Sequence, residues 1–489
     1  MQVPSRRSFL FGSVATAAVL AFAPAMAAIT PPTLSAAQIR SQWKTFLGLP
    51  RINVMTDSGA ASNGSTNDQP FIQAAVNAID ALGGGTIYFP KGTGNYLLNS
   101  SVTFESGGLD FKFEFEPGAK LIGNFADALL KRSVNSPIGG VHLIENGIFE
   151  QNHASGTCVK LHSCVAVKAV LCNFHGPGAS ATLAHHGIET FNSQAATLDT
   201  CMMIGCGIGA VAGNATMVLD CDITGCIEGV RHQNLGLTIL GGRFEVNRKA
   251  IVLGLDENGN GFTSAGAFIA GLSMESNGWA LFLAAAANVK MAACPITGAQ
   301  TDMHGGILGG TATEVSIDAC GLGFAQPLVA DGDGKRGGIV LENINNSSFQ
   351  NINISIHSND AARQWLVQYP RNNKFINCPQ LSEVSELTAD SQMNGTRFKN
   401  VRMTSASAIG LFFRNDTAMG SDGGALPMNE DYCIIQGGAG AVTIATDGGS
   451  PPTLITPGGR NRLTTQGSVG FVRRIAANTF IAHGSGWTT

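Results

Sequence analysis

The sequence predicts an all-β chain wound into a stacked solenoid, with one helix closing its N-terminal end. Three observations carry this reading. Of 489 residues, 62 are glycine, 44% are hydrophobic and only 13% are charged. Many short strands joined by tight turns give such a mixture, and helical bundles do not. Short segments recur through the middle of the chain at steps of about 20 to 30 residues, the period of a solenoid coil. A single amphipathic helix pattern stands near the start, and almost nothing after it looks helical for several hundred residues.

The first residues read as an export signal. Arg6 and Arg7 sit in the stretch Ser5–Leu10, an apolar run follows from Phe11 to Phe22, and Ala25-Met26-Ala27 fits a small-x-small cleavage site. Residues 1–27 are therefore expected to be a Tat signal peptide and 28–50 a lead-in segment. The chain would engage the Tat export machinery of a bacterium and be periplasmic or secreted. The apolar run is too short to span a bilayer comfortably, so no stable membrane insertion is expected once the signal is removed. A net charge of −4 and the lack of a long basic run point away from nucleic acid.

The helix comes next. Asp68 can cap it, Pro70 suits its first turn, and Phe71, Ala75, Ile79 and Leu82 fall on one face. Gly83, Gly84 and Gly85 stop it, and Ile87 and Phe89 alternate with other residues as a strand does. A stack of coils exposes strand edges at its open end. This helix is placed to cover them.

The coils follow. Segments beginning at Cys201, Cys221, Gly242 and Leu272 align on a turn residue (Cys206, Cys226, Asn247, Asn277) and then on a small residue before an aliphatic one: Ala210-Val211, Gly229-Val230, Ala250-Ile251 and Ala280-Leu281. Gly187-Ile188 and Cys158-Val159 fit the same slot upstream. One coil cannot bury its own apolar face, whereas stacked coils bury a continuous core. The chain has 11 cysteines, none in a Cys-x-x-Cys pair, and their repeat spacing predicts stacking and not bridging.

The stretch from Ile52 to Leu98 goes further. It holds Asp57, Gly59 and Ala60, then Asn67-Asp68, the helix, Gly-Gly-Gly-Thr-Ile-Tyr-Phe-Pro and a closing Tyr-Leu-Leu. It resembles the start of the pectate-lyase-like, rhamnogalacturonase/epimerase-type family. The resemblance implies a right-handed single-stranded parallel β-helix and a polysaccharide substrate, without fixing the reaction. On this reading the β-helix runs from 51 to 403. Residues 404–489 carry short strands with glycine turns and resemble a small C-terminal β module of phage-tail-like proteins.

Candidate site residues come from the stacking. The residue after each inward aliphatic points outward, which gives a column Lys160, Glu189, Ala212, Arg231, Val252, Phe282. A second column reads Thr157, His186, Gly209, Glu228, Lys249, Trp279. Glycan chemistry needs carboxylates or a base, cations for uronate groups and an aromatic platform. Glu189, Arg231, His186 and Glu228 are therefore the expected catalytic residues. Lys160, Lys249 and Trp279 are expected to bind substrate on the same face, with Asp222 and Arg243 on another. The inserts His175–His186 and Leu255–Gly266 would wall the groove. His142, His153, His162 and His357 read as surface or turn residues. No metal motif occurs: Asp220 and Asp222 do not converge with the six or more oxygens that Ca²⁺ takes, and no cofactor is expected.

These residues support an exported polysaccharide depolymerase, a lyase ahead of a glycoside hydrolase. A noncatalytic glycan-binding or phage-tail-like appendage protein is the alternative. The substrate and the oligomeric state are left open by the sequence.

Overall fold

The computed structural model describes residues 50–489 apart from 105–108, 133–138, 257, 356–364, 368–373, 377–384, 388–390, 393–399, 404–405, 414–430, 437–438, 447–452, 467 and 477–478. The expected signal peptide, all of the lead-in segment but Pro50, and His357 lie outside the described residues.

From Arg51 the chain winds as a right-handed parallel β-helix. Each coil lays one strand in each of three parallel sheets. Sheet A runs from Arg51–Asn53 to Lys374–Ile376, sheet B from Tyr96–Leu98 to Asn353–Ser355, and sheet C from Val102–Phe104 to Trp365–Val367. Side chains alternate in and out of each strand, so like positions stack coil upon coil. Phe89 lies on Phe115 at 4.2 Å and Phe149 on Phe174 at 5.4 Å, within a continuous ladder of inward rings. On sheet C the inward ladder runs Val159, Ile188, Ala210, Val230, Ile251, Leu281, all buried.

The turns explain the cysteine and asparagine spacing. The Cys172, Cys201 and Cys221 thiols each donate to the carbonyl two residues earlier, at 3.4, 3.6 and 3.4 Å. A left-handed residue (Leu171, Thr200, Asp220) precedes each of them. Each of these carbonyls already accepts a backbone N–H from an adjacent coil, so the thiol supplies a second donor to it inside the stack, where water is excluded. Between sheets B and C the same task passes from Cys226 to amides. Asn247 accepts from the Cys226 N–H at 3.0 Å, and Asn277 accepts from the Asn247 N–H at 2.9 Å. The nine cysteines from Cys158 to Cys320 are free and buried.

The helix α1 (Gln69–Ala81) caps the first coils. Its buried face is Ile72, Ala75, Val76 and Ile79, while Phe71 and Leu82 are 38% and 59% exposed. The apolar stripe is therefore rotated from the expected one, with Ala75 and Ile79 shared. Asp68 stands at the N-cap, but its carboxylate accepts from the Ala61 and Ser62 N–H groups (2.6 and 3.2 Å) and not from the helix. It closes the preceding loop instead of capping.

Beyond the coils, six-stranded and four-stranded sheets enclose a separate core of Leu411, Ile434, Val442, Ile444, Leu463, Val472, Phe480 and Trp487. The pairing of Asp431–Gln436 with Val469–Ala476, and of that strand with Thr479–His483, is antiparallel. Ser385–Leu387 and Asn400–Met403 join the same six-stranded sheet from upstream of residue 404.

Candidate functional site

The outer face of sheet C carries the expected columns, with one slip. Lys160, Glu189, Val211, Arg231, Val252 and Phe282 are in register, as are Thr157, His186, Ile208, Glu228, Lys249 and Trp279. Val211 and Ile208 take the places expected for Ala212 and Gly209. In Ile208–Ala212 small and apolar residues follow one another without a polar partner, so the pattern does not fix which residue points inward.

Glu189 is the centre of the first cluster. Its Oε2 accepts from His162 Nε2 at 2.6 Å and pairs with Lys160 Nζ at 3.1 Å. Its Oε1 meets His186 Nδ1 and, at 3.3 Å, accepts from Thr157 Oγ1. Burial pushes this carboxyl toward its neutral form, yet hydrogen bonds from His162 and His186, and their charge, hold it well below the ordinary range. The ring of His186 also reaches the Leu183 carbonyl through Nε2 at 2.9 Å. Both ring nitrogens of His186 thus face an oxygen, Glu189 Oε1 on one side and the Leu183 carbonyl on the other. Lys160 is the open edge of the cluster, with 34% of its side chain exposed.

His162, which reads as a surface or turn residue, is instead buried in this cluster. Arg132, one coil earlier, donates to the carbonyls of His162 (2.8 Å) and Ser163 (3.0 Å), fixing the left-handed turn at Ser163 that presents the ring. Glu189 holds Nε2, and Nδ1 has no hydrogen-bond partner among the described residues. The signal in the sequence is position: His162 follows Lys160 by two residues at the end of a sheet C strand. His142 is also buried, against Phe104 and Phe111, and His153 is half-buried beside Ser155.

A second cluster lies two coils on. Arg231 Nε donates to Glu228 Oε2 at 2.7 Å, and Nη1 donates to the Asp256 carbonyl at 3.0 Å. Next come Lys249, whose ammonium stands 4.1 Å over the Phe282 ring, and Trp279, whose Nε1 donates to Asp331 at 3.1 Å. Asp222, half-buried, and Arg243, exposed, stand apart on sheet B, 4.0 Å from one another.

The repeat alone places these columns on an open face, and the structure corrects this. His186, Glu189, Glu228, Arg231 and Trp279 are 6, 2, 3, 2 and 1% exposed. Inserts fold down over the sheet. Leu183 and Thr182 come from the first, and the Thr182 carbonyl leaves no room for even a Cβ at Gly207. Asp256 comes from the second, and Asp331 from a third between sheets B and C. Loop residues carry no periodicity, so their packing is not legible in the repeat. Among the described residues no three His, Cys, Asp or Glu side chains are placed to hold a metal ion.

Burial also sets an acid response. It pushes His142 down to about 3, and His185 and His232 to about 4. Unfolded, each protonates near 6.5. The unfolded chain then binds more protons below that pH, so stability falls as the pH drops toward the folded values. The lowered carboxyl of Glu189 adds a loss of the same sign below about 4.5. The melting midpoint should be flat above pH 7 and fall steadily from about pH 6.5 to 4. A midpoint constant across that window in calorimetry would contradict this account.

Residues 51–144 match the family model described as rhamnogalacturonase A/epimerase, pectate lyase-like. No curated protein matches the sequence. Solved structures are similar at a low level, among them the three that follow. The Geobacillus virus E2 protein ORF18 is 14% identical with a TM-score of 0.40, over 62% of this chain and 66% of that one. The Streptococcus pneumoniae surface protein and adhesin PfbA is 12% identical with a TM-score of 0.42, over 67% of this chain and 98% of that one. The enzymatically active domain of bacteriophage CBA120 tailspike protein 2 is 11% identical with a TM-score of 0.40, over 87% of this chain and 60% of that one. Likenesses of this size carry no chemistry, which rests on the side chains of sheet C.

Proposed function

We propose that the protein is an exported enzyme that cleaves an acidic polysaccharide by β-elimination on the outer face of sheet C. One observation carries the reading: Glu189 grips Nε2 of His162 and leaves Nδ1 without a partner among the described residues, beside the part-exposed Lys160. A carboxylate on one ring nitrogen fixes the tautomer and makes the other nitrogen the better base. In this reaction Nδ1 takes the proton from C5 of a uronate. The electrons left behind form the C4–C5 double bond, the bond from C4 to the glycosidic oxygen breaks, and that oxygen takes a proton from solvent. Lys160 pairs with the uronate carboxylate and so eases loss of the C5 proton. Lys249 and Trp279 lie farther along the same stack, and Asp222 and Arg243 on sheet B would touch only a chain wrapped around the coil.

Hydrolysis fits these groups less well. A glycosidase needs one protonated carboxyl and a second about 5 to 9.5 Å away. Glu189 is held ionised, and Glu228 is engaged by Arg231 two coil steps, about 10 Å, along the stack. Ultraviolet absorbance of an unsaturated sugar end, produced from acidic polysaccharides by the purified chain, is the expected result. New reducing ends without that absorbance would overturn elimination.

Burial of Trp279, Glu228 and Arg231 beneath the inserts favours a second reading, a noncatalytic glycan-binding or appendage protein. Retention of a polysaccharide with no product of either kind would establish it. Export by the Tat route is part of the proposal. Replacing Arg6 and Arg7 with Lys should leave folded precursor in the cytoplasm, read by fractionation, and normal export of that variant would point to the general secretory route.

A further inference from the structure

Sheet B carries a groove of about 430 Å³, on a different sheet from the sheet C clusters, and its unusual feature is the strand glycine Gly323 in its lining, with Gly321 two residues earlier on the same outward side of that strand. Its floor is one outward column in register over four coils: Glu275, Thr297, Gly323, Ser355. The strand Gly321–Phe324 alternates Gly321 and Gly323 outward with Leu322 buried between them. Glycine inside a strand costs conformational entropy and packs nothing, so its presence needs a reason. Two ordinary reasons fail here. Neither residue has the left-handed backbone that glycine alone tolerates. Neither is crowded: a Cβ at Gly321 or Gly323 would meet nothing within 4 Å. Other strand glycines are crowded, with the Gly337 carbonyl 1.8 Å from a Cβ at Gly305 and the Gly229 carbonyl 2.6 Å from one at Gly209. What remains is close approach by something outside the chain.

We propose that this groove is a binding site for a neutral saccharide. The polar lining is one carboxylate (Glu275) and the hydroxyls of Ser276, Thr297 and Ser355; the rest is small residues and Phe324, with no lysine or arginine. That charge pattern disfavours a uronate or sulfated sugar and offers acceptors to sugar hydroxyls. A carboxylate takes two hydroxyl donors at once, and the glycine floor lets a ring lie against the strand. Three coil steps span about 14 Å, which suits a short run of rings laid across the strands. The site is independent of the elimination proposed for sheet C. It would hold an uncharged stretch of a polymer or an uncharged surface glycan.

The test uses the whole mature chain and cellotetraose, maltotetraose and trigalacturonate as probes, with binding read by titration calorimetry and by NMR of the sugar. Wild type should bind at least one neutral probe, and the Lys160→Ala variant, which lacks the sheet C cation, should bind trigalacturonate no more tightly than it binds that neutral probe. Gly323→Phe should abolish neutral-probe binding with an unchanged melting temperature. Gly321→Thr with Gly323→Thr should raise the melting temperature slightly, since threonine is the better strand former, and still weaken binding tenfold or more. Failure of wild type to bind either neutral probe, or full binding by Gly323→Phe, overturns the proposal. So does a lower melting temperature in the double threonine variant, which would mean the fold itself needs the glycines.

Discussion

Replacing Arg231 with Ala is expected to lower stability by about 3–5 kcal/mol, the cost of leaving a buried charge without its partner. Glu228 is buried on the strand that carries Arg231, and Arg231 Nε is its hydrogen-bond donor at 2.7 Å. Arg231 also ties down the second insert through the Asp256 carbonyl. An outward residue on an open solenoid face would cost little to remove. The covering insert reverses that expectation. The paired change Arg231→Met with Glu228→Gln should recover most of the loss, because two neutral groups of similar size need no ionic partner. Denaturant melts of the two single variants and the double variant measure the coupling. A loss under about 0.5 kcal/mol for Arg231→Ala would mean that water reaches Glu228 and that the insert does not seal the pair.

The parts of the molecule that repeat are legible in the sequence, and the parts that do not are hidden. Cys206, Cys226, Asn247 and Asn277 recur at one place in each coil, and the structure stacks them at one turn. The aliphatic slot reads correctly at Ile188, Val230, Ile251 and Leu281. It fails by one residue at Ala210, where a run of small and apolar residues offers two equal registers. The helix face fails in a similar way, since Phe71 and Leu82 extend its apolar stripe on one side and Ile72 and Val76 on the other. Only the coil beneath decides which side is covered. The burial of the charged columns depends on Thr182, Leu183, Asp256 and Asp331, loop residues whose position no period announces. His162 reads as a turn residue because it stands alone in the sequence. It enters the site through Glu189 from the next coil, a contact across 27 positions of chain.

Glu189 is where the largest loss of activity is expected. Glu189→Gln keeps the shape and removes the charge that orients His162 and faces His186 and Lys160. Turnover should fall by about a hundredfold or more, the scale of an acid–base contribution. On the proposed mechanism the fall should appear in kcat, because the carboxylate would act on the base and not on the ground-state substrate. His162→Asn should cost as much, and the double variant little more than either alone, since the two residues act as one unit. Stability should also fall, in contrast to an exposed carboxylate, because the new side-chain amide would turn an N–H toward donors already held at 2.6 and 3.1 Å. That loss separates from the catalytic one through pH. A merely structural Glu189 would leave the pH profile of the surviving activity unchanged. An orienting Glu189 fixes which nitrogen of His162 is free, so its removal should shift the basic-form limb of the kcat profile. Full activity in both Glu189→Gln and His162→Asn would remove this cluster from the chemistry, and Asp222 with Arg243 on sheet B would be the next pair to change.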